Sequence, residues 1–194
     1  SYVRCFSTET SQCLWLGDAI DRNYQFNQVA RHRMTELSDQ GLLLICLKNQ
    51  ITALSLEDGS LRWNHVMELT DGADFSCLSD DGKTLAVIDG EKEFLSSEYH
   101  LAFLDVATGE VIRTLELPEE IRKEELMAYG ESCGAFSEDG RYFAGMIYVG
   151  RYLGLDRMGY VFLADLEKGE VRLIKSEDVS SSNLCPFTIG MLCN

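Results

Sequence analysis

Short apolar runs on either side of a turn recur along the chain. In residues 103–113, β-branched and aromatic residues surround Thr108 and Gly109, and glycine accepts the positive φ that a tight hairpin turn requires. The same arrangement occurs at residues 5–15, 53–63 and 163–173. The four turns are centred on residues 11, 59, 109 and 169, so they are 48, 50 and 60 residues apart. We predict a β-hairpin at each of them.

A second kind of hairpin alternates with the first. In each copy, Ser followed by Asp or Glu precedes a glycine, and strand-forming residues follow it. The copies are residues 34–45, 75–88 and 134–147, with Gly41, Gly82 and Gly140 at the turns. One hairpin of each kind gives four antiparallel strands, a to d in chain order. A repeat of roughly 40 to 60 residues that carries four strands is typical of a β-propeller blade.

We therefore predict an all-β chain, a single β-propeller domain at 1–194 made of four-stranded antiparallel blades. A β-sandwich is the competing interpretation, but it does not require the two hairpin types to alternate. About three and a half to four blades are present. Their elements are residues 2–16, 34–65, 75–117, 134–176 and 184–193.

The blade count leaves two alternatives. Residues 184–193 could supply strand a, and a short strand b, to the blade that residues 2–16 begin, which would close a four-bladed ring. Otherwise the chain is part of a propeller of six to eight blades. We favour the second alternative because residues 184–193 contain no Asp-Gly turn. An open propeller has unpaired strand edges, which favour self-association.

Two pairs of stretches resemble Trp-Asp-repeat propellers. Phe-Ser-Glu-Asp-Gly-Arg at residues 136–141 precedes a strand that ends Leu-Ala-Asp-Leu-Glu-Lys-Gly-Glu at residues 163–170. Residues 78–83 and 104–110 repeat the pattern. What this resemblance implies is a propeller fold.

Residues 53–63 are also similar to the quinoprotein-type repeat, which ends a strand hairpin on Trp. The resemblance covers about residues 34–176. Asp105 and Asp165 stand at the Asp position of the Trp-Asp family, but its Gly-His pair and the Trp-Asp dipeptide are missing. For this reason no functional residue is transferred from either family.

Composition narrows the classes of function. The formal net charge is −15, which argues against nucleic acid and anionic membranes as partners and is compatible with a basic protein. No apolar run approaches the ~20 residues of a membrane-spanning helix. The seven cysteines are an odd number without a C-x-x-C pair, which predicts buried, reduced thiols. With no signal-peptide pattern in the chain, we expect a cytoplasmic location.

The order of strands predicts where partners bind. In an up-and-down blade the a–b and c–d turns, here tight, share one end, and the b–c and d–a connections, here long, share the other. The long connections are residues 89–99, 118–131 and 150–159. Long loops commonly carry binding groups. We predict partner binding through Arg151, Tyr152, Asp156 and Arg157, because Arg and Tyr are frequent at interaction hot spots. Solvated loops without a ligand are the alternative.

Catalytic and metal-binding motifs are scarce. His32, His65 and His100 lie on separate segments without metal-ligand spacing, and neither H-E-x-x-H nor G-x-S-x-G occurs. Turn chemistry explains the carboxylate pairs at the Asp-Gly turns, and packing between blades explains Trp15 and Trp63.

We therefore predict no cofactor and no metal site. The expected function is a non-enzymatic interaction scaffold or regulatory domain that binds protein partners through its long-loop face. The alternative is the propeller portion of an enzyme: a quinoprotein-like oxidoreductase, a hydrolase or a lyase.

Overall fold

Antiparallel pairing of neighbouring strands builds most of the part of the molecule that the structure describes. The computed structural model describes residues 4–7, 9–17, 33–47, 50–67, 76–92, 97–122, 133–150 and 157–178. Within these residues, fourteen strands form one two-stranded and three four-stranded sheets, and the strands of each sheet follow one another in chain order. The predicted all-β fold of four-stranded antiparallel propeller blades is confirmed.

The sheets are one hairpin and three blades. The N-terminal hairpin contains β1 (Arg4–Phe6) and β2 (Cys13–Leu16). Blade 1 contains β3 (Arg33–Leu37), β4 (Leu42–Leu47), β5 (Gln50–Ser55) and β6 (Leu61–Val66). Blade 2 contains β7 (Ser76–Leu78), β8 (Thr84–Lys92), β9 (Ser97–Asp105) and β10 (Val111–Glu116). Blade 3 contains β11 (Cys133–Phe136), β12 (Tyr142–Gly150), β13 (Arg157–Asp165) and β14 (Glu170–Asp178).

The remaining elements are short. A single 3-10 turn covers Ser38–Gln40, and helix α1 covers Glu119–Arg122, within the predicted connection 118–131. Ile121 is fully buried and anchors this helical turn to the core of blade 2. In the part of the chain that is described, no helix has the length and apolar character needed to cross a membrane. The predicted blade element 184–193 lies outside the described residues.

Glycine forms the tight turns, as the sequence predicts. Six of them have φ between +65° and +74°, a region that residues with a Cβ rarely adopt: Gly41, Gly59, Gly82, Gly109, Gly140 and Gly169. Just after each strand c, a backbone N–H donates to a carbonyl beside the a–b turn at 2.8 to 2.9 Å. The pairs are Leu56 to Gly41, Val106 to Lys83 and Leu166 to Arg141. These bonds hold the a–b and c–d turns of each blade at one end of the sheet, the tight-turn end. The opposite end is the loop end.

The core lies between blades, because side chains alternate along the middle strands. In β8, Leu85 and Val87 pack in one apolar cluster with blade 1, whereas Ala86 and Ile88 pack in another with blade 3. We call the contact surface between two neighbouring blades a seam. At the seam between blades 2 and 3, Phe103 contacts two phenylalanines of blade 3 edge to face, with ring centroids 5.8 and 6.1 Å apart. A blade is therefore stable only against its neighbours.

The prediction that residues 89–99 form a loop was wrong, because the loop is shorter. β8 and β9 stay paired out to Lys92 opposite Ser97, so only residues 93–96 separate the two strands. The pairing could not be predicted from the polar side chains in this stretch, because hydropathy depends on side chains and the pairing depends on backbone hydrogen bonds.

The predicted loop at residues 150–159 was too long for the same reason. β12 and β13 pair out to Gly150 opposite Arg157. The connection that remains is residues 151–156.

Candidate functional site

A projecting hairpin marks the loop end of blade 2. β10 ends at Glu116, opposite His100, but β8 and β9 continue past this point for three further pairs, the last of which joins Lys92 to Ser97. On the inner side β7 begins at Ser76, opposite Val87. In the described part of the chain, the tip of this hairpin therefore extends beyond both neighbouring strands.

The predicted partner-binding residues belong to the corresponding hairpin of blade 3. Arg157 is the first residue of β13, and its backbone pairs with Gly150. Arg151, Tyr152 and Asp156 lie outside the described residues. The assignment of these four residues to a partner site stays a prediction.

A polar pair lies between blades 1 and 2 near the loop end. His65 on β6 and Asp89 on β8 face each other across the seam, with Nε2 of His65 3.8 Å from Oδ2 of Asp89. Their side chains are only 18 % and 14 % exposed. The His65 Nε2 atom is buried and has no hydrogen-bond partner. Asp89 accepts a hydrogen bond from the Gly90 N–H at 2.8 Å.

His100 shares this face. It pairs with Asp89 across β8 and β9, and paired residues of an antiparallel sheet point to the same side. The structure thus places two histidines from separate segments of the sequence on the facing sides of blades 1 and 2, and adds an aspartate that the sequence analysis did not single out. His32 lies outside the described residues.

The contact between blades 2 and 3 shows that the fold does not require polar residues at these positions. Counted from the turn glycines, the residues between blades 2 and 3 that correspond to His65, Asp89 and His100 are Leu115, Ile147 and Tyr160. All three are buried in one apolar cluster. A polar set where the repeat elsewhere places apolar groups reduces stability, and such departures are expected at functional sites.

Both tryptophans join neighbouring sheets, as predicted. Trp15 of the N-terminal hairpin donates its indole N–H to the Leu56 carbonyl of blade 1 at 2.9 Å, and Trp63 of blade 1 donates to the Val106 carbonyl of blade 2 at 2.8 Å. Each ring covers the glycine of the following c–d turn. They serve packing between blades.

A cavity of about 240 Å³ lies where the inner strands of the three blades approach one another. Its lining combines three leucines and a glycine with hydroxyl and thiol groups from Thr35, Ser76, Cys46 and Cys77. The Cys77 thiol donates to the Gly134 carbonyl at 3.0 Å. A small, largely apolar molecule with one or two polar groups would suit this lining.

The carboxylates of the a–b turns are engaged in turn geometry, as predicted. The Ser79 hydroxyl donates to Asp81 at 2.7 Å, and this bond together with the Lys83 N–H lowers the pKa of Asp81. Asp139 has the same arrangement with Ser137, at 2.6 Å, and its pKa is lowered in the same way. Among the residues with described positions, no group of three His, Cys, Asp or Glu is placed to hold a metal ion.

Comparison with known proteins identifies a fold and no family. No family model and no curated protein sequence matches the chain. It resembles 155 chains of solved structures. One is dihydro-heme d1 dehydrogenase NirN in complex with DHE, with 12 % identity and a TM-score of 0.50. The alignment covers 90 % of this chain but 32 % of that one, so the chain spans about a third of its structural neighbour. A similarity at this low sequence identity supports the fold alone.

Proposed function

We propose that the chain is a protein-interaction module that binds a partner through its loop end. The observation that carries this proposal is the asymmetry between the two ends of the blades. Turns of the tight-turn end are bonded to one another, whereas the loop end carries the projecting β8–β9 hairpin and the β12–β13 hairpin. Projecting segments on a rigid scaffold are a common arrangement for binding surfaces.

The chemistry of the partner follows from charge and hairpin composition. A chain of net charge −15 attracts a basic protein over distances of a Debye length. Arg151, Tyr152 and Arg157 are anchors of the kind that dominate interface energies, and Asp156 would pair with a partner cation. The polar seam at His65 and Asp89 lies at the base of the same end.

Photo-crosslinking from the two ends tests the proposal. A photoreactive phenylalanine analogue replaces Tyr152 at the loop end and, as the matched control, Thr108, which is exposed at the tight-turn end. We expect a discrete crosslinked protein from position 152 and none from position 108. The same product from both positions, or from position 108 alone, would refute loop-end binding.

The captured protein, once purified, allows the residues to be tested. The Kd for the wild-type chain is measured by calorimetry and compared with that of R151A/Y152A/R157A. Loss of these anchors should weaken binding at least tenfold, because hot-spot truncations cost about 2 kcal/mol or more each. The control is Thr108→Ala, which should leave the Kd unchanged. An unaltered Kd in the triple variant removes these residues from the site.

The second candidate is the propeller portion of an oxidoreductase. The cavity between the inner strands favours it, as does the structural neighbour, which is a dehydrogenase by its name. Calorimetry with a small quinone cofactor tests it, with Thr35→Trp as the variant that fills the cavity. Binding that Thr35→Trp abolishes would support this candidate. No heat with the quinone, or binding that survives the substitution, would count against it.

A further inference from the structure

The polar pair at the seam between blades 1 and 2 has the spacing of two ligands on one metal ion. Nε2 of His65 and Oδ2 of Asp89 are 3.8 Å apart. That distance is beyond the reach of a hydrogen bond between them, which is about 2.7–3.2 Å for a nitrogen donor. It is close to the ~3.4 Å that separates two ligand atoms when each is about 2.0–2.2 Å from a tetrahedral Zn²⁺. A small adjustment of the two side chains would therefore bring both atoms onto one ion.

The chemistry and orientation of the two groups suit zinc, which accepts both imidazole nitrogen and carboxylate oxygen. Nε2 of His65 is buried and has no hydrogen-bond partner. Buried polar atoms of folded proteins are almost always satisfied, and a bound ion is one explanation for an exception. The Gly90 N–H donates to Oδ1 of Asp89 at 2.8 Å, and Oδ2 is the oxygen that faces His65. Hydrogen bonds of this kind orient metal-binding carboxylates.

The surroundings of the pair favour a cation. On the same face of blade 2, Asp89 pairs with His100 and His100 pairs with Glu116, whose carboxylate lies 3.7 Å from Arg122. The net charge of −15 attracts cations to the chain as a whole. Among the described residues no third His, Cys, Asp or Glu is placed to complete a metal set, so the chain supplies two ligands and water the others. The side chains of the pair keep 18 % and 14 % exposure, which gives an ion access.

The repeat shows what the pair costs when nothing engages it. Leu115 and Ile147 stand at the corresponding positions between blades 2 and 3, and both are buried in an apolar cluster. A histidine and an aspartate at a buried seam therefore reduce stability relative to apolar residues. A cation held by both groups would offset that cost, and it would link β6 to β8, which belong to different blades.

We propose that His65 and Asp89 bind Zn²⁺ between blades 1 and 2. The sequence analysis predicted no metal site because these two ligands are 24 residues apart, on separate segments, without the spacing of a metal-binding motif. The proposal does not depend on partner binding at the loop end, which concerns the tips of the hairpins.

Nitrogen-15 NMR of the full chain, labelled at histidine and titrated with Zn²⁺, tests the proposal at the atom concerned. Zinc should shift the Nε2 signal of one imidazole, which is assigned to His65 by its absence from His65→Leu/Asp89→Ile. Imidazole signals separate this site from any zinc held by the seven cysteines. Asp89→Asn should weaken the Kd for zinc about tenfold or more, as substitutions around bound metals commonly do. The control is Asp81→Asn, which removes the same charge from an exposed turn and should leave the Kd unchanged.

Urea unfolding gives a second readout that does not depend on the NMR assignment. The double variant His65→Leu/Asp89→Ile carries the residues of the next seam and should be more stable than the wild type in the presence of a chelator. Saturating zinc should raise the urea midpoint of the wild type, because an ion that binds only the folded state stabilises it. Zinc should not raise the midpoint of the double variant to the same extent.

Several results would overturn the proposal. One is a titration in which no imidazole shifts, or in which the shifted imidazole persists in the double variant. Another is a Kd that is unchanged in Asp89→Asn, or weakened equally in Asp81→Asn. A wild type that is stabilised by acid but does not respond to zinc would identify a proton-dependent ion pair instead. If circular dichroism shows that the double variant does not fold, the comparison of Asp89→Asn with Asp81→Asn decides.

Discussion

The contact between Trp63 and Gly109 gives the sharpest test of how the blades hold together. Gly109 has φ +74°, and a Cβ built on it would lie 2.5 Å from Cδ2 and 2.6 Å from Cε3 of Trp63. Gly169, the corresponding glycine of blade 3, has the same φ, but its Cβ would meet only Leu115, at 3.8 Å. Alanine at the two positions thus imposes equal backbone strain and unequal crowding.

The difference can be estimated from these contacts. A Cβ in the left-handed region costs about 1–2 kcal/mol at either position. Only at Gly109 must the buried indole also move from its hydrogen bond to Val106, and overpacking of this kind costs about 1–3 kcal/mol. We therefore expect Gly169→Ala to lose about 1–2 kcal/mol and Gly109→Ala about 2–5 kcal/mol.

Urea unfolding followed by circular dichroism measures both losses without relying on the fluorescence of the displaced Trp63. A Trp63→Leu background completes a double-mutant cycle, in which the cost of Gly109→Ala should fall to that of Gly169→Ala. Equal losses for the two alanine variants in the wild-type background would refute the reasoning, because crowding against Trp63 would then contribute nothing.

Three further predictions concern selected positions. His65→Leu combined with Asp89→Ile, the residues at the corresponding positions between blades 2 and 3, should raise the free energy of unfolding by about 1 kcal/mol, because it removes both a buried nitrogen without a hydrogen-bond partner and the carboxylate beside it, and a lower melting temperature would contradict this. Gly145→Ala should lose about 1–3 kcal/mol, since its Cβ would enter the space of the Phe162 ring, and an unchanged urea midpoint would contradict that. Hydrogen bonds from the hydroxyl and N–H of Ser60 lower the pKa of Asp58 to about 2, so the stabilisation from this carboxylate is present above its ordinary pKa of 3.8 and disappears as the pH falls toward 2. A carbon-13 NMR titration that places the pKa of Asp58 near 3.8 in the wild type, or an unchanged pKa in Ser60→Ala, would contradict this assignment.

Much of the blade architecture was predictable because its signals are local. A glycine at positive φ and a Ser-Asp pair before it act within a few residues, so Gly82 and Gly140 could be assigned to turns from the sequence. The matched positions of Trp15 and Trp63 predicted packing between blades for the same reason, since the repeat itself is visible.

The lengths of the hairpins at the loop end were less predictable. Residues 89–99 contain Asp, Glu, Lys and Ser, which side-chain patterns assign to loops, yet the backbone of Lys92 pairs with Ser97. Strand propensity depends on neighbouring strands more than on the residue alone, and polar residues are common on a hairpin that extends past its sheet.

The amino-acid sequence by itself determined the kind of fold, the positions of the tight turns and the strands that each turn joins. These features depend on backbone conformations that Gly, Ser and Asp favour over short distances. Only the tertiary structure decided which side chains meet between blades. His65 and Asp89 are 24 residues apart and on different sheets, and their 3.8 Å approach follows from the stacking of blade 1 on blade 2. Burial at such a contact is set by the neighbouring sheet, so Leu104 is fully buried because blade 1 packs against it.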